Sequence, residues 1–130
     1  MAKFHNIKVF DIYKVTKDCS VVTFQIPDEL IPEFQYHQGQ HLTLKTIIEG
    51  EDVRRSYSLC SSPVENKWQV AVKRFNGGLF STFINENLKK GDFVEIMAPS
   101  GKFNVAVNPE KAKNYIVFAA GSGITPILSI

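Results

Sequence analysis

The run Arg54-Arg55-Ser56-Tyr57-Ser58-Leu59 gathers two guanidinium groups, a phenol and two hydroxyls in one short stretch. In an extended strand, alternation puts Arg55, Tyr57 and Leu59 on one face and Arg54, Ser56 and Ser58 on the other. A guanidinium fork can hold a diphosphate through paired, charge-assisted hydrogen bonds. A tyrosine two residues on can offer its ring as a stacking wall for a planar heterocycle. The serine beside it can give a hydroxyl and a backbone amide to a ring nitrogen. The same run also fits an exposed strand whose arginines pair with Glu51 and Asp52.

A second candidate is Gly77-Gly78-Leu79-Phe80-Ser81-Thr82, read as a helix start. The first amides of a helix lack intrahelical acceptors and sit at the positive end of its dipole, which favours an anion. Glycines let the backbone approach a phosphate, and Ser81 can add a hydroxyl; a plain glycine-rich turn explains the same residues. The third is Gly121-Ser122-Gly123-Ile124-Thr125-Pro126. It is similar to a dinucleotide fingerprint with Pro126 in place of the third glycine, and it stands between a buried-strand pattern and a helix, the context that fingerprint requires.

Short strands must position these segments. Ile7 and Val9 alternate imperfectly with Lys8 and Phe10. Val22, Phe24 and Ile26 alternate with Thr23 and Gln25, and Leu42 and Leu44 with Thr43 and Lys45. Trp68, Val70 and Val72 alternate with Gln69, Ala71 and Lys73, and Val94 and Ile96 oppose Glu95. Period-two patterning with turn signals at Pro27-Asp28, Glu49 to Asp52, Ser62-Pro63 and Pro99 to Gly101 predicts an antiparallel sandwich or barrel. Phe80, Phe83, Ile84 and Leu88 keep helical spacing, and Lys89-Lys90-Gly91 supplies a stop signal, so one helix is expected over Leu79 to Lys90. Residues 105–114 read as a polar linker. Tyr115 to Ala120 is a continuous apolar run that suits a parallel strand buried on both faces, and Pro126 suits the first turn of a following helix. Such a strand cannot bury itself alone, so an α/β domain is expected to continue past Ile130; a C-terminal hairpin packed on the barrel is the alternative.

Composition narrows the function classes. The chain has 130 residues, 44% hydrophobic and 22% charged, with a formal charge of +2. That suits one globular domain, and the scattered lysines form no basic stripe for nucleic acid. Two cysteines are too few for a disulfide-stapled secreted domain, which points to a cytoplasmic setting. No Cys/His cluster has metal-ligand spacing, and no stretch is apolar enough to be a signal peptide or to cross a bilayer. A barrel that binds a protein or oligonucleotide through Tyr36, Tyr57 and Phe75 is the rival class.

In their order along the chain, these motifs resemble the ferredoxin–NADP reductase superfamily. Arg55-Ser56-Tyr57-Ser58 is similar to its Arg-x-Tyr-Ser flavin motif, and Gly78-Leu79-Phe80-Ser81 to its Gly-x-x-Ser pyrophosphate motif. His37 to Leu42 resembles its Pro-Gly-Gln segment, with Gln38 where proline is usual. Pro99 to Phe103 resembles the segment that ends its barrel, and Gly121 to Pro126 the opening loop of its nicotinamide domain. Gly39 to Lys45, Arg54 to Ser58, Ala119 to Ile127 and Phe4-His5 are most similar to the branch that serves phenylacetate degradation. The resemblance implies an all-β fold: a six-stranded antiparallel Greek-key barrel with one capping helix over residues 1–104. The linker over 105–114 and the first β-α piece of a Rossmann-like NAD(P)-binding domain over 115–130 would follow. It implies FAD rather than FMN. Arg55 would hold the pyrophosphate with the segment Gly77, Gly78, Leu79, Phe80 and Ser81. Tyr57 would stack on the ring, and Ser58, flanked by Ser56, would sit near the hydride-accepting nitrogen, making Tyr57 and Ser58 the catalytic pair. Val72 and Lys73 would line the ribityl and adenine side; Thr125 and Pro126 would approach the flavin, and Gly121 and Gly123 the NAD(P)H. Electrons would pass to a [2Fe–2S] centre in a region beyond this sequence and then to an oxygenase, with no nucleic-acid or membrane partner.

Overall fold

The computed structural model describes residues 3–102, 116, 118 and 124–129. Six strands form the framework: β1 (Phe4–Thr16), β2 (Cys19–Gln25), β3 (His41–Ile48), β4 (Glu51–Ser58), β5 (Trp68–Lys73) and β6 (Phe93–Met97). The helices are α1 (Ile31–Phe34), α2 (Leu79–Glu86) and α3 (Ile124–Ser129). The strands form one sheet in the order β4-β3-β6-β1-β2-β5, and every pairing is antiparallel. The last strand, β6, inserts between β1 and β3, the crossing expected of a Greek key. The sheet curls until its ends meet: Leu59 bridges Val70, and the Cys60 amide donates to the Gln69 carbonyl at 2.9 Å. The expected antiparallel barrel is therefore present as a curled six-stranded half-barrel.

The alternating residues define its interior. Ile7, Val9, Val22, Phe24, Leu42, Leu44, Trp68, Val70, Val72, Val94 and Ile96 are all buried in a single core. The imperfect alternation in β1 has a local cause. A β-bulge lies between Val9 and Asp11, so Phe10 has no partner on β2 and stays exposed. One extra residue reverses the side-chain parity, which is why Ile12, rather than residue 11, packs against the core beyond it.

Two elements differ from the sequence reading. The helix expected to reach Lys90 stops at Glu86. The Asn87 and Leu88 amides both donate to the Phe83 carbonyl, at 2.9 and 3.1 Å, which closes the last turn. The Lys89 amide then caps on the Asp92 carboxylate at 2.9 Å, and Gly91 turns the chain at φ +92° so that its amide reaches the Val9 carbonyl. Leu88 kept the helical spacing because it is buried in the core, although it lies outside the helix. The second difference is α1, a single turn with Pro32 in its first turn, which seats the fully buried Phe34 beneath Trp68. The Trp68 indole N–H donates to the Phe34 carbonyl at 2.8 Å and so satisfies a group that the short turn leaves open. Among the described residues, α2 is thus the cap and α1 an additional plug. The helix expected near Pro126 is α3, with Pro126 in its first turn. The strand expected over Tyr115 to Ala120 falls largely outside the described residues; Ile116 and Phe118, the two that are described, are exposed.

Candidate functional site

The β3–β4 hairpin and the start of α2 bring the first two motifs into neighbouring positions. On β4, Arg55 pairs with Leu44 and Tyr57 with Leu42, and both leucines are fully buried. Arg55 and Tyr57 therefore lie on the core-facing side of the sheet with Val53 and Leu59, as alternation predicts. Because β4 ends the sheet order, that face opens outward at Arg55, which is exposed, while Tyr57 is half-buried. Helix α2 packs beside it: the Tyr57 and Phe80 rings lie 6.1 Å apart with a 41° tilt, and Phe80 meets Phe83 edge-on at 6.2 Å. Tyr57 thus touches the first turn of the helix whose amides form the second motif.

The two arginines divide by face. Arg54 points outward, donating from Nε to Asp52 at 3.1 Å, and its guanidinium shares the Phe4 ring with Lys45. The carboxylate pairing open to both arginines thus holds for Arg54 with Asp52. Arg55 forms no ion pair with any described residue. Its Nη1 donates only to the Arg54 carbonyl, at 2.6 Å. Burial pushes the Tyr57 phenol above its ordinary pKa, and the nearby positive charge of Arg55 pulls it partly back. The phenol, neutral near pH 7 at its ordinary pKa, stays so, and beside it stands a cation with no counter-ion among the described residues.

The helix start is ordered by its own loop. The Gly78 amide donates to the Phe75 carbonyl at 3.0 Å, and the Thr82 amide donates to Gly78 at 3.2 Å. The amides of Leu79, Phe80 and Ser81 precede the first complete helical hydrogen bond and have no intrahelical acceptor. Ser81 Oγ accepts from the Phe75 amide at 3.2 Å, so its oxygen holds the loop while its hydroxyl hydrogen can serve another acceptor. Gly77 has φ +78°, which favours glycine, and at Gly78 a Cβ would stand 2.5 Å from Ser81 Oγ, so any side chain there would displace that serine.

A groove of about 510 Å3 opens at this point. One wall is the tip of the β3–β4 hairpin, Ile47 to Glu49; the other is Gly77, Gly78, Leu79, Thr82, Phe83 and Asn87. Arg55 and Tyr57 do not line the groove. They stand further along the same hairpin: Asp52 is opposite Ile47, and Arg55 lies about 10 Å from Asp52 at the usual strand rise.

The remaining sequence candidates take varied places. Ser56 is on the outer face, with its hydroxyl 2.9 Å from that of Thr43. Ser58 is half-buried opposite His41, which bridges to Ser100 through backbone and side chain. Val72 is fully buried and its carbonyl accepts from Asn85, whereas Lys73 is exposed at the end of β5. Thr125 and Pro126 are half-buried in α3. Gly121 and Gly123 lie outside the described residues. In the segment where Gln38 replaces proline, Gln40 holds the turn instead. Its Oε1 accepts from the His37 amide at 2.8 Å, and its Nε2 reaches the Gly101 carbonyl at 3.2 Å. Burial raises the pKa of both Cys19 and Cys60, which keeps these thiols protonated and poorly nucleophilic. Among the described residues no three His, Cys, Asp or Glu side chains gather to hold a metal, and no helix is long and apolar enough to cross a membrane.

Two polar residues escaped the sequence reading. Asn85 and Ser20 are buried and bonded to each other at 2.7 Å. The signal was present: Asn85 follows Ile84 on the apolar stripe of α2, where a polar residue needs an internal partner.

Known proteins show where the chain belongs. The family model for the oxidoreductase FAD-binding domain matches residues 6–105. The chain is 40% identical over 130 residues to a component of the 1,2-phenylacetyl-CoA epoxidase of Escherichia coli (strain K12), covering 100% of this chain and 36% of that protein. It is 36% identical over 127 residues to the ferredoxin reductase component of 3-ketosteroid-9-alpha-monooxygenase from Rhodococcus rhodochrous, covering 95% of this chain and 35% of that one. Among solved structures, phthalate dioxygenase reductase, described as a modular structure for electron transfer from pyridine nucleotides to [2Fe–2S], superposes with a TM-score of 0.79. The identity is 31%, over 97% of this chain and 38% of that one. The chain spans about a third of the length of the curated relatives it matches.

Proposed function

The chain belongs to the oxidoreductase FAD-binding domain family, and from that premise we propose that it is the flavin-holding part of an NAD(P)H-dependent electron-transfer reductase. The observation that carries the reading is electrostatic. Arg55, without an ion-pair partner among the described residues, and the acceptor-less amides of Leu79, Phe80 and Ser81 flank a half-buried Tyr57 ring packed on Phe80. A cation and a helix start together suit a diphosphate, and an aromatic wall between them suits the planar system it carries. These residues fit FAD. When bound, that cofactor supplies the conversion of a two-electron hydride donor into a one-electron source.

The chain's own residues then bind and orient. Arg55 neutralises diphosphate charge from the hairpin side, and the α2 amides do so from the helix side. Tyr57, a neutral phenol at pH 7, limits the ring's position without adding charge. Ser58, at the end of β4, offers a hydroxyl and an amide near the ring nitrogens, which makes Tyr57 and Ser58 the pair closest to the chemistry. The groove beside Gly77 and Gly78 takes the rest of the nucleotide. Thr125 and Pro126, with Gly121 and Gly123, open the region for the nicotinamide donor.

The parent's electron route runs from NAD(P)H through FAD to an iron–sulfur centre and an oxygenase. Similarity to the phenylacetyl-CoA epoxidase component and to monooxygenase and dioxygenase reductases supports that order, and the first of these supports a role in phenylacetate degradation. The test is a titration of the chain with FAD, followed by absorbance near about 450 nm and by flavin fluorescence. Arg55→Ala should weaken binding about 10- to 100-fold, the range for a lost charge-assisted phosphate contact, while the melting temperature stays within about 1 °C, because this side chain is exposed. Equal affinity in the variant, or salt-sensitive binding of an oligonucleotide in place of FAD, would refute the reading.

A further inference from the structure

We infer that Asn85 is a positioning residue for the anion-binding start of α2, acting through a buried polar line that runs from the barrel to the glycine loop. This rests on the flavin reading above. The line begins at Ser20 on β2, which is 1% exposed, and its hydroxyl donates to Asn85 Oδ1 at 2.7 Å. Asn85 Nδ2 donates twice, to the Val72 carbonyl on β5 at 3.0 Å and to the Ser81 carbonyl at 2.9 Å. Ser81 then holds the Phe75 amide through Oγ at 3.2 Å, and the Phe75 carbonyl receives the Gly78 amide at 3.0 Å.

The orientation of the Asn85 amide follows from its partners. Two carbonyl oxygens can face only its NH2 group; the opposite orientation would set three oxygens together. Both amide hydrogens are therefore used, and the oxygen has its donor. Each contact ties a different element: β2, β5 and the first turn of α2. The other polar contacts from described α2 side chains reach only the loop after β5: Ser81 Oγ accepts from the Phe75 amide, and Glu86 pairs with Arg74 at 3.2 Å in an exposed ion pair, which is worth little. The aromatic contacts of Phe80 and Phe83 resist withdrawal of the helix, but apolar packing is non-directional and leaves rotation and axial slip weakly opposed. Directional bonds at Asn85 fix both. The amides of Leu79 to Ser81 are thereby held in register with Arg55 across the hairpin, and a diphosphate needs both at once.

A positioning role separates from a structural one by ligand. FAD reports the diphosphate contacts, whereas riboflavin carries the ring without any phosphate. In Asn85→Ala the dissociation constant for FAD should rise about tenfold, the size of one lost directional contact; that for riboflavin should change less than about twofold. Asn85→Asp adds a pH profile. Its carboxylate would face two carbonyls, so FAD should bind more tightly as pH falls and the buried carboxyl takes up a proton, a dependence the parent chain lacks. Ser20→Ala removes one bond and leaves Asn85 in place, which keeps the test available if Asn85→Ala does not fold; it should give the same ligand pattern at about two- to threefold. Equal weakening of FAD and riboflavin, or no weakening of either, overturns the positioning role. If the parent chain itself binds riboflavin and FAD equally, the diphosphate site fails, and this role fails with it.

Discussion

Adding one methyl group at Gly78 tests how the helix start is built. In Gly78→Ala the new Cβ would stand 2.5 Å from Ser81 Oγ, 3.3 Å from the Phe75 carbonyl oxygen and 3.5 Å from Phe75 Cβ. The first distance is impossible, so the Ser81 side chain must rotate and surrender its bond to the Phe75 amide. The lost bond costs about 1 kcal/mol, and leaving a half-buried amide without a partner adds about 1 kcal/mol more. Gly78 has φ −78°, which alanine adopts freely, so the restricted unfolded chain returns about 0.4–1 kcal/mol. The net loss is about 1–2 kcal/mol, or about 3–8 °C in melting temperature for a chain of this size. The one impossible contact is with the Ser81 oxygen, and the Phe75 carbonyl at 3.3 Å need give by only a few tenths of an ångström, so most of the effect should vanish when the Ser81 oxygen is removed. Urea unfolding of Gly78→Ala, Ser81→Ala and the double variant completes the cycle. In the Ser81→Ala background, Gly78→Ala should be neutral within about 0.5 kcal/mol, a coupling of about 1 kcal/mol or more. Additivity within about 0.3 kcal/mol would refute the packing described for this loop.

Tyr57→Ala should weaken FAD and also destabilise the fold by about 1–2 kcal/mol, because the ring is half-buried against Phe80. Tyr57→Phe keeps the ring and should preserve both affinity and stability; a large affinity loss there would shift the role from the ring to the hydroxyl. The hydrogen bond from Arg54 holds the Asp52 carboxyl below its ordinary pKa. Because the folded-state value is depressed, this pair's contribution is present above the ordinary aspartate range and is lost as pH falls through the lowered value. Carboxyl NMR should show the Asp52 midpoint rise in Arg54→Ala and stay unchanged in Arg55→Ala; movement in both would contradict the division of the two arginines between faces.

Where residues alternate against a single core, the sequence reads directly: Leu42 and Leu44, Trp68, Val70 and Val72, and Val94 and Ile96 face inward as their spacing implies. Legibility fails where one residue changes the geometry. The bulge at Phe10 reverses the parity of β1; the imperfect alternation there signals an irregularity without saying where the extra residue sits. Leu88 extends the apolar period of α2 past the point where the Phe83 carbonyl closes the helix, because burial alone does not distinguish helix from turn. The position of β6 between β1 and β3 depends on contacts distant in sequence, to which local propensity is blind. At the candidate site the face shared by Arg55 and Tyr57 followed from period two. The separate fates of Arg54 and Arg55 needed coordinates, since each stands near Asp52 in sequence and only Arg54 shares its side of the sheet. Asn85 was visible as a polar residue on an apolar stripe, but its three partners come from three elements.

The central claim is that one ligand engages Arg55 and the start of α2 together. An isotope-labelled chain titrated with FAD and followed by 15N correlation NMR measures this at both ends. If one diphosphate bridges both groups, the Arg55 side-chain Nε–H and the amides of Leu79, Phe80 and Ser81 shift along a single saturation curve, with one dissociation constant. Shifts confined to one of the two groups, or two curves saturating at different concentrations, would contradict it.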